Sequence, residues 1–236
     1  MPLALVTGAS RGFGRALAHA LVTRGWSVLV DGRRKALLHA TFSGVSGVTA
    51  IPGDVTDPLH RAALADRVGA AGGHLDLLVN NASHLGPSPQ PDLADYPLDE
   101  LRRVYEIDVF APLALTQLLL PSVRAATGIV VNVSSDAAVE VYEGWGGYGS
   151  AKSALDHLSA VLAAEERALR IYAFDPGDMR TDMHQQAFPD DDISDRPEPE
   201  TIVPALLDLV DRRPPSGRYR AADLLAGVGL APVGAR

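Results

Sequence analysis

The chain has no cysteine. That excludes disulfides, thiol nucleophiles and Cys-ligated metals at once. Spacings that would ligate a metal through other side chains are missing too, so no metal is expected. Positive charge is scarce: 21 Lys and Arg stand against 29 Asp and Glu, for a formal net charge of −8. Such a chain is a poor match for nucleic acid or an anionic membrane surface. No N-terminal signal is read, because Pro2-Leu-Ala-Leu-Val6 is strand-length and runs straight into a glycine turn. No apolar run is read as long enough to span a bilayer. There is no internal repeat and no domain linker. The expectation from these absences is a cytoplasmic protein with no nucleic-acid or membrane partner.

What is present suffices for a full core. The 236 residues are 47% hydrophobic, which excludes disorder and fits one domain over residues 1–236. Short apolar runs at Leu3–Val6, Ser27–Asp31, Val48–Ile51, Leu75–Asn80, Gly128–Val133 and Arg170–Phe174 alternate with helical patterns. That rhythm predicts βαβ units and an α/β, Rossmann-type, doubly wound parallel sheet with helices on both faces. The fourth helical stretch is read as continuous over about Leu98–Ala125. A last helix near Glu200–Arg212 and a short strand near Arg218–Ala221 close the fold. The segment 177–199 is long, acidic and proline-containing, and is read as a lid over a substrate.

Two patterns carry chemistry. The turn Thr7-Gly8-Ala-Ser10-Arg11-Gly12-Phe13-Gly14 follows a strand and opens a helix. Glycines there let the backbone approach a pyrophosphate, and the helix N-terminus faces its charge. Tyr148 and Lys152 stand four residues apart in Tyr148-Gly-Ser-Ala-Lys152, so they share one face of a helix. A free tyrosine has a pKa near 10. An adjacent ammonium is expected to draw it down towards the working range. Cofactor choice rests on two features that pull apart. Asp31, 19 residues after Gly12, suits the ribose 2′-hydroxyl of NAD. Arg33, with help from Arg11, suits the 2′-phosphate of NADP.

Taken together, these motifs resemble the short-chain dehydrogenase/reductase family. Thr7–Gly14 matches its cofactor turn, and Gly53-Asp54-Val55 its adenine-contacting segment. Asn80-Asn81-Ala82 matches the end of its fourth strand. Ser134-Ser135 precedes Tyr148-x-x-x-Lys152 at the family spacing, and Pro176-Gly177 with Thr181 matches the turn after the sixth strand. The resemblance implies an NADP-dependent oxidoreductase, with NAD as the alternative, acting on a small carbonyl or alcohol. Tyr148 would be the acid/base, Lys152 its ribose-binding partner, and Ser135 the hydrogen bond to the substrate oxygen. Asp54 and Val55 would hold adenine, Asn81 and Ala82 the adenosine ribose side, and Pro176, Gly177 and Thr181 the nicotinamide end. Gly32-Arg33 marks NADP preference in this family. Asp108 stands where the family has a relay asparagine, and is expected to pair with Lys152. The resemblance also implies a homodimer or homotetramer, although Ser216–Ala221 departs from the family's ending.

By position, the substrate side is expected at Ser83–Leu85, Asp136–Val141, Tyr142, Trp145 and Asp178–His184. Two other classes remain beside the redox reading. One is a non-redox enzyme on the same fold, such as a dehydratase, epimerase or cyclase; the other is a cofactor-sensing binding protein.

Overall fold

The computed structural model describes residues 1–227. The final stretch of the expected 1–236 domain, residues 228–236, lies outside the described residues. Seven strands form one parallel sheet in the order β3-β2-β1-β4-β5-β6-β7. They are β1 (Leu3–Val6), β2 (Ser27–Gly32), β3 (Val48–Pro52), β4 (Leu77–Asn80), β5 (Ile129–Val133), β6 (Arg170–Asp175) and β7 (Gly217–Arg220). Helices α1 (Gly12–Thr23), α2 (Lys35–Thr41) and α3 (Pro58–Ala70) connect the first four strands, with α3 leading into β4.

The strands read as unbroken apolar runs because both faces are covered. Alternate residues serve different layers. Ala4, Val6, Val28, Val30, Val79 and Val131 pack with Leu17 and Leu21 of α1 and with Leu206 of α8 (Pro199–Arg212). Leu5, Leu29, Leu78 and Val130 point the other way, onto Leu64 and Val68 of α3 and Leu115, Leu119 and Val123 of α5 (Ala111–Ala126). Each such leucine, fully buried, contributes about 1.5–3 kcal/mol.

The long helical stretch is not uniform. It runs as α4 (Leu98–Tyr105), a π-turn (Glu106–Phe110) and then α5. The whole of Leu98–Ala126 is long and apolar enough, by length and composition, to cross a membrane. This corrects the expectation of no such run. The apolar character has a packing cause: Leu115, Leu119 and Val123 are buried against the sheet.

Helix α6 (Gly146–Glu165) follows β5 and starts just before Tyr148. In the segment 177–199 the helical piece is α7 (Asp182–Ala187), before α8 begins at Pro199. After β7, α9 (Ala221–Leu225) ends the described chain. The chain leaves β1 in one direction for β2 and β3, then in the other for β4 to β7. Ligands on such sheets bind at that reversal, beyond the strands' carboxyl ends.

Candidate active site

A cavity of about 1020 Å³ opens there. Its floor at one end is the glycine turn, with Ser10, Arg11, Gly12 and Phe13 on the lining. Gly8 has φ +65°, and a Cβ on it would sit 2.7 Å from the Cα of Ala82. Thr7 holds those two segments together: its hydroxyl accepts from the amides of Asn81 (2.9 Å) and Ala82 (3.0 Å). At Gly14 a Cβ would meet the Asn81 amide nitrogen at 2.4 Å. That nitrogen donates to the Thr7 carbonyl at 2.8 Å and the Gly8 carbonyl at 3.3 Å. The side-chain amide of Asn81 thus braces the turn, and the residue lines the cavity there. Helix α1 begins here with no side chain capping it, so its first amides are left for an anion. A dinucleotide's pyrophosphate fits this cradle.

The adenine end is built around a buried carboxylate. Asp31 is fully buried; its Oδ1 accepts from the Gly8 amide at 2.6 Å and its Oδ2 lies 3.2 Å from His60 Nε2. Burial pushes its pKa up, against the lowering effects of His60 and the Gly8 amide. A Cβ on Gly53 would lie 2.1 Å from His60 Nδ1, so the imidazole occupies the space this glycine leaves. Asp31 is turned inward, while Arg33 is exposed on the cavity lining. Asp54 accepts from the amide and hydroxyl of Thr56, at 2.9 and 2.8 Å. Burial works against its charge, but the Thr56 donors and nearby Arg33 outweigh that and hold the carboxyl below its ordinary value. Val55, also on the lining, presents its carbonyl to Arg61 at 2.7 Å.

At the other end the sheet and α6 bring the reactive side chains together. Ser135, Tyr148 and Lys152 all line the cavity. Lys152 is 2% exposed and its Nζ lies 5.4 Å from the centre of the Tyr148 ring. That Nζ donates to the Val133 carbonyl at 3.0 Å and pairs with Asp108 Oδ1 at 3.1 Å. The expected pairing with Asp108 is present, and the π-turn delivers it. Asp108 Oδ2 accepts from the His84 amide at 3.1 Å, and Ser83 donates its hydroxyl to Oδ1.

The electrostatics correct one expectation. The pKa of Tyr148 is raised, not lowered. Burial is the main cause; Lys152 opposes it, while Asp108 and Asp175 add to it. Burial also disfavours the charge on Lys152, but Tyr148 and Asp108 overcome this and keep the ammonium charged. Spacing along a helix reveals the neighbour but not the depth of burial. Ser135 caps a short 3₁₀ turn at Asp136–Ala138 and donates its hydroxyl to Asp136 at 2.9 Å.

The substrate side is narrower than expected. Leu85, Trp145, Met183 and Ala187 pack around Tyr148. The Trp145 ring lies 5.9 Å from both Tyr148 and Phe188. Residues 137–142 do not line the cavity. Tyr142 is turned outward onto Asp136 and Glu140, at 3.0 and 2.9 Å, and Val141 is fully exposed. Pro176, Gly177 and Thr181 do line it. Thr181 caps α7 by accepting from the His184 amide at 3.1 Å. Arg11 reaches from the glycine turn to Asp182, and Arg180 pairs with Glu198 across the base of the loop.

Three residues outside the matched motifs also hold the site, of which Ser83 is expected by position on the substrate side and does line the cavity. His60 is one of seven histidines in the sequence and carries no signal of its own. Ser83 follows the Asn80-Asn81-Ala82 motif directly. Arg218 lies in the departing C-terminal segment; it donates to the Ser135 carbonyl at 2.9 Å and pairs with Asp175 at 2.9 Å and Asp156 at 3.0 Å. Its cationic character within a segment already out of pattern was the available signal.

A short chain dehydrogenase family model matches residues 2–192. The chain belongs to the short chain dehydrogenases. Sepiapterin reductase of Xenopus laevis is 36% identical to it, over 78% of this chain and 76% of that one. A short chain dehydrogenase of Shigella flexneri, solved in complex with NADP, superposes with a TM-score of 0.88 at 30% identity, covering 94% of this chain and 97% of that one. Another from Escherichia coli, solved with NADPH, gives 0.87 at 29% identity, covering 93% and 96%.

Proposed function

We propose that this protein is an NADP-dependent oxidoreductase that interconverts a carbonyl and an alcohol. The observation that carries the reading is the convergence of Ser135, Tyr148 and Lys152 on the cavity that the glycine turn opens. Bound NADPH would supply the hydride. The chain's own residues do the rest. The amides of the glycine turn and the start of α1 hold the pyrophosphate, and Asp54 and Val55 border the adenine. Arg33 takes the 2′-phosphate. This is supported by Asp31, whose carboxylate is already engaged by Gly8 and His60. Crystal complexes of two similar structures with NADP and NADPH support the same choice.

In reduction, the Tyr148 hydroxyl gives its proton to the substrate oxygen; in oxidation its phenolate takes one. Ser135 turns its hydroxyl from Asp136 to that oxygen. Lys152 offsets the burial of the phenolate. Its ammonium is itself kept charged by Asp108. The wall of Leu85, Trp145, Met183 and Ala187 shields this end from water and favours a substrate with a flat or apolar group beside the carbonyl. The segment 177–199 covers it as a lid.

The test is nicotinamide absorbance against a panel of ketones and aldehydes, with Tyr148→Phe beside the wild type. The variant is expected to bind NADPH normally and to lose at least about a hundredfold in turnover. Wild-type turnover in the variant would refute the assignment. No absorbance change with any carbonyl would favour the non-redox or sensor readings.

A further inference from the structure

The ladder between β5 and β6 runs out just before the reactive end of the cavity. Past Val133 the Ser134 amide still donates to the Phe174 carbonyl, at 2.7 Å. The next amide along β6 that could extend the ladder is at Pro176, which has no N–H. Ser135 and Gly177 stand beyond that end, and both line the cavity. Main-chain bonding between the two strands therefore does not fix one against the other.

Arg218, from β7, makes the connection instead. Its side chain is 10% exposed. Nη2 carries two hydrogens. It donates to the Ser135 carbonyl at 2.9 Å and to Asp175 Oδ2 at 2.9 Å. Asp175 Oδ1 in turn accepts from the Gly177 amide at 2.9 Å. An unbroken run of hydrogen bonds thus joins Ser135 to Gly177 through one nitrogen and one carboxylate. Arg218 Nε donates to Asp156 Oδ2 at 3.0 Å, which anchors the guanidinium to α6 one turn beyond Lys152. Neither Arg218 nor Asp156 lines the cavity. A cation present only to balance two carboxylates has no need of a neutral carbonyl, yet Arg218 takes the carbonyl of Ser135.

We infer that Arg218 is a positioning residue that fixes the spacing between Ser135 and the turn at Gly177. That spacing sets the substrate oxygen, held by Ser135, against the nicotinamide that delivers hydride to the adjacent carbon. The inference rests on the roles given above to Ser135 and Gly177. It deepens them by assigning their register to a residue outside the cavity, in the C-terminal segment that departs from the family's ending. Reacting groups misplaced by about 1 Å can lose about a hundredfold in rate.

Asparagine offers a single side-chain acceptor oxygen. At position 156 it can still accept from Arg218 Nε. At position 175 it cannot serve Gly177 and Arg218 from separate oxygens, so the run is broken there. Asp175→Asn and Asp156→Asn are compared per NADPH site found by titration, so that unfolded protein does not count. Both are expected to bind NADPH with wild-type affinity, because the pyrophosphate and adenine contacts lie at the other end. Bound NADPH in Asp175→Asn is expected to lose nicotinamide emission towards that of the free cofactor, as the ring gains freedom, while Asp156→Asn keeps the wild-type signal. With acetophenone, a ketone carrying a flat apolar group, kcat is expected to fall about ten- to a hundredfold in Asp175→Asn with KM little changed, and by less than about threefold in Asp156→Asn. Arg218→Gln is expected to reproduce the Asp175→Asn losses, and the double variant to lose little more than either alone. Wild-type emission in Asp175→Asn, equal losses in the two Asp variants, or additive losses in the double variant would overturn the positioning role. A wild type that reduces no carbonyl would instead overturn the redox reading beneath it. The emission comparison needs no turnover, so the two failures are told apart.

Discussion

At the cofactor end of the cavity, the fixed points are backbone groups and buried side chains. Gly8 donates to Asp31, Thr7 gathers the amides of Asn81 and Ala82, and His60 fills the space beside Gly53. At the substrate end the corresponding links are exposed: Arg11 to Asp182, Arg180 to Glu198, and Arg196 to Asp178 at 3.7 Å. Exposed ion pairs are worth about 0–1 kcal/mol each. A buried hydrogen-bonded group left without its partner costs about 1–3 kcal/mol. The first end is therefore set before any ligand arrives. The second is held by weaker, exposed links. Fixed geometry suits a ligand whose phosphates are always the same, and loose links suit entry and exit.

Breaking the rigid end should have the largest effect. Gly8→Ala forces a side chain into a left-handed position and against Ala82. It is expected to cost roughly 2–4 kcal/mol, seen as a Tm lower by several degrees, and to abolish measurable NADPH binding by calorimetry. Unchanged binding would mean the turn adapts and is not pre-set. Arg33→Ala tests the same end without disturbing its frame. The preference for NADPH over NADH should shrink about tenfold, the worth of a charge-assisted pair of about 1.5–3 kcal/mol partly screened by solvent. A wild type that prefers NADH in titrations would show that Arg33 does not govern the choice. At the loose end the expected effect is smaller. Amides of Thr181–Pro199 should gain hydrogen-exchange protection on adding NADPH and a ketone, while those of β1 and β4 change little. Equal protection with and without ligand would remove the contrast between the two ends.

The glycine turn and the Tyr148–Lys152 pair were readable because their residues act through positions along the chain. Glycines at a strand-to-helix turn, and a tyrosine four residues before a lysine, keep their meaning whatever the surroundings. The sheet was readable for the same reason: strand-length apolar runs alternate with helical ones. The unread parts depend on what the third dimension brings near. Asp31 has the spacing of a ribose ligand, but β2 turns it inward, where His60 from α3 meets it. Tyr148 sits beside the expected ammonium, but the depth at which it lies reverses the expected shift. The π-turn at Glu106–Phe110 leaves no mark on hydrophobic periodicity, though it delivers Asp108 to Lys152. Tyr142 was read as a pocket wall because it is near Tyr148 in the chain, yet Asp136 and Glu140 draw it outward.

The space that Gly53 leaves for His60 also constrains how this protein can change over generations. A Cβ at position 53 would overlap the imidazole, at 2.1 Å from Nδ1. The ring cannot withdraw without taking its partner from the buried Asp31 Oδ2, leaving the carboxylate with the Gly8 amide alone. The two positions therefore have an order of descent. Gly53→Ala introduced first is expected to lower Tm more than the same change introduced after His60→Ala and Asp31→Ala have emptied the space. Thermal melts of the single and triple variants read this directly, and equal losses from Gly53→Ala in both backgrounds would show that no such order exists. With His60 in its present place, any side chain at position 53 must displace the imidazole.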